Sequence, residues 1–498
     1  MVDTKLVRIL RNMMNPLLPL SEKERLQHVQ KITRKLKALM ISPYFNTPDT
    51  VHRLFEFLMD FAPDFNDPAL NEEEAFKYVF PEKVGDDFGN IRKLRNKLLG
   101  QVEKYIFLEE MMEGPWAEKL AMLRFLGKNK MLDEFYRHLN QEFYPALDSP
   151  DLPEGNQLYW RYLGAREVNN VKSAFQDDGR SGLYFQEASD SLDHYYLYQK
   201  LVYACQMLNR QNIVPLESAF QLGLLDEFRP FLEKELPFLQ QPLFQIWITA
   251  FNMLRENEAG RLEWWNRLND LLDEHFSLLS ANAISLIYGY LQNNVRYITT
   301  DKEAQHRVYI RLFESQIDKE VFKNHFTLSS GSFYNTIQTY LLLDDIQGAE
   351  TSFNRYKGIL PVLGEDISDL CNAAIQFEKG NFSQALDILN GIQEFSNLHN
   401  NVKFRRLLLK TYFELGGEYI SLAEDSVNAF RVYISRYADQ LGELHSTANR
   451  EFINITFKLL RMIPGKSHLT GLEAEIGAFP RLPERKWLLA KCRNPRKK

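Results

Sequence analysis

FEKGNFSQALDIL, residues 377–389, ends one apolar helical stripe at a glycine and opens a second two residues later. Before the glycine, Leu370, Ala373, Ala374 and Phe377 stand at i, i+3, i+4 and i+7, on one face of a 3.6-residue helix. Gly380 stops that helix, because a left-handed residue without a Cβ closes the last turn freely. Asn381 is placed to cap the next helix, with Gln384 at the spacing of a capping box. Phe382, Ala385, Leu386 and Leu389 then repeat the first spacing, so the segment predicts an α-hairpin whose two apolar faces meet. Small Ala373 and Ala385 let the helices approach, while Phe377, Phe382 and Leu389 fill the seam at roughly 1.5–3 kcal/mol each if fully buried.

One hairpin of this length is marginal in water and needs neighbours. Upstream, Ile337, Tyr340 and Leu341 make one stripe, and Ile346, Ala349 and Phe353 the next. Ala349 precedes Ala385 by 36 residues, as Phe353 precedes Leu389. Downstream, Leu408, Tyr412 and Leu415 run into Gly416, again 36 residues after Gly380. Three units in register make a repeat.

A helix, a turn glycine, an aromatic, a small alanine and a large apolar residue at this spacing resemble the tetratricopeptide repeat. One copy supplies Tyr340, Ile346, Ala349, Phe353 and Pro361, and the next Ala373, Gly380, Phe382, Ala385 and Leu389. The sequence departs from the family pattern at Asp344, which takes the turn-glycine place, at Gln376, which replaces the usual tyrosine, and in lacking the opening tryptophan. The third copy also runs long, through GGEYISLAEDSVNAF. The resemblance covers about residues 333–436 and implies a right-handed α-solenoid of stacked helical hairpins. The wider chain, from LFEFLMDFAPDF (54–65) to ERKWLL (484–489), is similar to helical-repeat proteins of about this length from Bacteroidetes-type bacteria, a likeness that implies no activity.

Composition agrees with an all-α chain of this kind. Apolar residues at 45%, with 35 phenylalanines and 23 tyrosines, suffice for a continuous core and argue against disorder. No apolar run approaches the roughly eighteen residues that a membrane span requires. Asp3, Arg8 and Arg11 interrupt what would be the apolar region of a secretory signal, so a cytoplasmic location is expected. Cys205, Cys371 and Cys492, odd in number and far apart, fit reduced thiols.

Turn signals divide the chain. PDFNDP, FPEKVGDDFG and MEGPW punctuate the helices between 48 and 145, and PALDSPDLPEGN (145–156) marks a domain boundary. Beyond the loop QDDGRSG lies SLDHYYLYQKLVYACQML (191–208), whose Leu192, Tyr196, Tyr203 and Met207 keep helical spacing. The expected organisation is an N-terminal helical region over 1–145, a repeat array over 156–465, and a cap with a basic tail over 466–498.

Charge is uneven. Residues 1–40 hold nine Lys or Arg against three acids, a net of +6, and residues 481–498 hold eight against one, a net of +7. Since the whole chain is −6, the 440 residues between carry −19. Such basic ends bind acidic partners, fold onto the acidic body, or simply present solvated faces. The sharpest nucleic-acid candidate is the helix expected at 91–104: Ile91, Leu94, Leu98, Val102 and Tyr105 form an apolar stripe, and Arg92, Lys93, Arg95 and Lys97 face away from it. Those four could reach phosphates from a groove, although no wing-like strands follow and nothing marks half-site spacing.

Catalytic patterns are missing. HExxH, paired CxxC, GxSxG and GxGxxG do not occur, and PGKS at 464–467 has Leu460 where a phosphate loop needs its first glycine. Asp193–His194 and Glu274–His275 are sequence neighbours that a helix would point apart, so metal ligation is not expected and no cofactor is implied. Asn71 with Glu74 reads as a capping box for the acidic turn NEEEAF. Trp264, Trp265, Tyr288, Tyr290, Phe313 and Phe322 fit either a peptide groove or a core, which exposure decides. The reading is a cytoplasmic, non-enzymatic protein–protein interaction scaffold, with a nucleic-acid-associated regulator as its first rival and a hydrolase as its second.

Overall fold

Gly380 takes φ +82° in the computed structural model, just beyond the helix Glu365–Glu378. Its N–H bonds the Phe377 carbonyl at 3.0 Å, and the Asn381 N–H bonds the Gln376 carbonyl at 2.9 Å, the paired closure of a left-handed helix end. Thirty-six residues earlier Asp344 repeats the arrangement. Its φ is +58°, its N–H bonds Leu341 at 3.1 Å, and the Asp345 N–H bonds Tyr340 at 3.0 Å. The substituted residue therefore adopts the glycine conformation, which aspartate tolerates better than most side chains. Gly416, 36 residues after Gly380, has φ +63° with ψ −153°, and its N–H bonds Tyr412 at 3.2 Å, so the third turn closes differently.

The structure describes residues 1–15, 22–45, 47–82, 88–112, 114, 116–147, 155–175, 181–213, 220–223, 237–256, 258–319, 330–359, 365–392, 395, 397–461, 469–479 and 482–493. The fold is all-α, and no strand occurs among the described residues. The PGKS turn, Phe322, Pro361 and most of the 145–156 boundary segment lie outside them. The chain divides into two compact units, Met1–Lys200 with Ser277–Ser280, and Leu201–Phe276 with Ala281–Lys498.

In the first unit, α1 (Lys5–Met14), α2 (Glu22–Ile41), α3 (Asp49–Met59), α4 (Glu72–Val79) and α5 (Phe88–Met111) enclose one core, in which Leu10, Leu54, Phe65 and Leu98 are fully buried. Asn71 caps α4, its Oδ1 accepting from the Glu74 N–H at 2.9 Å; the reciprocal half of the capping box is not made, because the Glu74 carboxylate pairs with Lys77 at 2.8 Å. A second core lies among α6 (Trp116–Lys128), α7 (Leu132–His138), α8 (Tyr144–Leu147) and α9 (Asn156–Phe175), around Leu123, Phe135 and Phe143. The division between units falls within α10 (Ser181–Ile213). That helix buries Leu197, Tyr198, Leu201, Ala204 and Cys205, so Leu192, Tyr196 and Tyr203 of the sequence stripe lie on its exposed side.

The second unit continues with α11 (Pro242–Arg255), α12 (Glu258–Glu274), α13 (Ala281–Asn293) and α14 (Lys302–Asp318). Three hairpins follow: α15 (Ser330–Leu342) with α16 (Ile346–Tyr356), α17 (Glu365–Glu378) with α18 (Phe382–Gly391), and α19 (Leu398–Leu415) with α20 (Tyr419–Arg436). First helices also pack on one another, α15 on α17 and α17 on α19. Tyr340, Ala349, Phe353, Ala373, Phe377, Ala385 and Leu389 are buried, whereas Ile346, Phe382 and Tyr412 are half-buried. Phe377 and Phe382 meet at 5.2 Å between ring centroids. Asn381 does not cap α18. Its amide instead donates to the Gln376 side chain at 2.9 Å, while Asp345, at the corresponding place, does cap α16 by accepting from the Gly348 N–H at 2.8 Å. Helix α19 is gripped by α17, α18 and α20, so its buried set (Val402, Leu407, Leu409, Phe413) is wider than the stripe Leu408, Tyr412 and Leu415, which is half-buried. The unit ends with α21 (Ala438–Leu441), α22 (Glu443–Leu460), α23 (Leu469–Ala478) and α24 (Arg485–Arg493).

Candidate functional site

Helix α19 starts at Asn397, whose Oδ1 accepts from the His399 and Asn400 N–H groups at 2.9 and 3.3 Å. From there His399, Lys403, Arg406 and Lys410 recur at intervals of four, three and four, which stacks them along one face. Lys410 is only 4% exposed. Its Nζ lies 2.8 Å from Glu484 Oε2, 3.6 Å from Glu378 Oε1 and 4.3 Å from the centre of the Phe377 ring. A buried ammonium demands such compensation, and here it comes from 74 residues downstream. Burial opposes ionisation of Glu484, but Lys410 and Arg406 overcome it and hold the carboxyl below its ordinary range.

The next two cations of the row are less well matched. Lys403 places Nζ 4.2 Å from the Tyr334 ring centre, and Arg406 keeps a buried Nε with no hydrogen-bond partner among the described residues. Burial, with Arg406 beside it, brings the Lys403 ammonium down to about 8.

Helix α24 lies beside this row. Trp487 donates from Nε1 to Glu414 at 2.6 Å, Lys491 reaches the same carboxylate at 2.7 Å, and the Trp487 ring meets Phe413 at 5.1 Å. Leu488 and Cys492 are buried beneath, so α24 is seated in the core and anchors Glu484 against Lys410. Lys486 pairs with Asp344, beside the first left-handed turn. Between α24 and the ends of α15 and α17 runs a groove of about 860 Å³, lined by Leu341, Leu342, Phe382, Lys410, Glu484 and Leu489 among others. Leu342 is 53% exposed there. Sequence reading did not single out Lys403, Arg406, Lys410, Glu414 or Glu484. The four–three–four spacing was visible in LHNNVKFRRLLLKTYFEL, but its anionic counterpart is remote in sequence.

The basic helix in the first unit has the expected apolar stripe: Ile91, Leu94, Leu98, Val102 and Tyr105 are all buried. Its cations divide. Arg92 and Arg95 both pair with Glu72 of α4, at 3.0 and 3.2 Å, whereas Lys93 and Lys97 are exposed. Bonding to Arg92, against some opposition from burial, keeps the Glu72 carboxyl below its usual range. Two of the four candidate phosphate contacts are thus engaged within the fold.

The aromatic set resolves toward core. Trp265, Tyr288, Tyr290 and Phe313 are buried, Trp264 is half-buried, and the Trp265 Nε1 donates to the Leu291 carbonyl at 3.0 Å. His275 sits just past the end of α12 and reaches Glu274 at 3.6 Å. No group of three or more His, Cys, Asp or Glu side chains able to hold a metal occurs among the described residues, and the three cysteines are free and buried. No helix among those residues is long and apolar enough to cross a membrane. Comparison with family models, curated proteins and solved structures finds no match to this chain.

Proposed function

We propose that the chain is a non-enzymatic protein–protein interaction scaffold, with residues 333–436 of the second unit forming a tetratricopeptide-like, right-handed α-solenoid of stacked hairpins. The observation that carries the reading is the recurrence of a positive-φ residue at 344, 380 and 416, each ending the first helix of a pair. Packing of α15 on α17 and of α17 on α19 supports it further, because stacked repeats bury their apolar faces on the next unit. First helices aligned in this way present a common face, and the groove beside Lys410 opens there. The partner is a protein of the same compartment, taken to be the cytoplasm, and recognition needs no cofactor. The test is affinity purification with crosslinking from native lysate. Specific, saturable co-purification mapped by crosslinks to α15, α17 or α19 is expected; an absence of any specific partner removes the reading.

A further inference from the structure

We propose that Lys403 and Arg406 form a recognition site for acidic residues of a partner peptide, which lies along α19 and continues into the groove beside Glu484. The inference rests on the scaffold reading and names the chemistry of its partner.

Three cations share one face of α19, and among the described residues only Lys410 has carboxylates within ion-pair distance. Lys403 and Arg406 are half-buried, neighbouring like charges; among the described residues Lys403 has the Tyr334 face and Arg406 the more distant field of Glu484. Positive charge held this close, partly out of water, gains from an anion that spans both groups. The chain already displays the preferred anion. Glu484 places a carboxylate on Lys410, and Trp487, one helical turn on, places an aromatic ring against Phe413.

The groove adds a second requirement. Leu341, Leu342, Phe382 and Leu489 give it apolar walls, so a free inorganic anion would use the cations and leave those walls uncovered. A peptide alternating acidic and apolar residues uses both. Space of about 860 Å³ accommodates a few such residues.

The test titrates the full chain with a fluorescein-labelled peptide of alternating glutamate and leucine, and with the same peptide carrying glutamine for glutamate. The glutamate peptide should bind saturably, weaken at high salt, and lose about tenfold in affinity with Lys403→Met or Arg406→Gln. Arg406→Lys should restore part of the loss. Because Lys403 holds no ion pair among the described residues and its charge is opposed by burial, the thermal midpoint of Lys403→Met should not fall below wild type; a clear fall would mark a structural role and overturn the proposal. Equal binding of the two peptides, unchanged affinity in both variants, or competition by inorganic phosphate at the peptide's own concentration would also overturn it. Partners that crosslink to α15 or α17 and remain bound to a Lys403→Met/Arg406→Gln double variant would refute this site and leave the scaffold standing.

Discussion

Gly380→Ala isolates the backbone conformation on which the repeat depends. A Cβ built on Gly380 meets no atom within 4 Å, so alanine there suffers no packing clash. Its cost is conformational. At φ +82° an L-residue loses about 1–2 kcal/mol to its own carbonyl contacts. The stiffer unfolded chain returns about 0.4–1 kcal/mol, which leaves a net loss of about 1 kcal/mol. Gly391, at the end of α18, supplies the control: it too has open space around its Cβ position, but its φ lies outside the left-handed range. Gly391→Ala keeps only the unfolded-state gain, about 0.5 kcal/mol of stabilisation. Urea unfolding of the full chain reads both, and amide exchange at Gly380 and Asn381 reads the local turn directly, since those two N–H groups make the closing bonds. Opposite signs are expected, with faster exchange in Gly380→Ala alone. If both variants shift stability in the same direction, left-handed closure is not what selects glycine at 380.

Lys410→Met should cost about 2–3 kcal/mol in urea unfolding, less than a fully buried pair would, because the Glu484 side chain keeps 24% of its surface; an unchanged midpoint would contradict the buried pairing. Glu484 has a lowered folded pKa, so its contribution is present above about pH 4.5 and is lost as pH falls through the folded value; Glu484→Gln should flatten that acid limb relative to wild type. Lys403 behaves oppositely. Its folded value of about 8 lies below its ordinary 10.5, the unfolded chain holds the proton more tightly, and wild type gains stability as pH rises between those values. Lys403→Met should therefore be the more stable protein at pH 7 and lose that advantage near pH 10.5, as followed by thermal unfolding across pH. Asn71→Ala should cost about 1 kcal/mol through the lost cap of α4, seen as faster amide exchange at Glu74.

What the sequence disclosed was what depends on neighbours along the chain. Apolar spacing and a turn residue together specify a hairpin, and the 36-residue interval then carries Gly380 onto Asp344 and Gly416. Even the substituted turn was legible in position, because the α-helix end imposes its conformation on whichever residue stands there. Capping was less legible. Asn381 and Asp345 occupy equivalent places, yet Asn381 has Gln376 within reach and spends its side chain on it. Long-range matches were not legible at all: nothing in RRLLLK states that Lys410 will be buried against Glu484, or that α19 will be gripped on three sides.

The uneven charge acquires a physical cause from these contacts. At the N-terminal end, Lys5, Arg25, Lys35 and Lys37 each pair with an acid of the same unit, Glu103, Asp64, Glu109 and Glu56. Arg11 donates to the Asp64 and Phe65 carbonyls at 2.9 and 3.0 Å. Toward the C-terminus, Lys486, Lys491 and Arg493 meet Asp344, Glu414 and Glu473. Cations paired in this way contribute less field to an incoming polyanion, since the potential a partner feels is set by the net local charge and is screened within about 10 Å. The same reasoning singles out α19, where the cations of an otherwise acidic body outnumber the carboxylates that reach them. A net-charge argument made on the sequence alone points to the termini; the contacts add α19, whose Lys403 and Arg406 carry charge that no described carboxylate pairs.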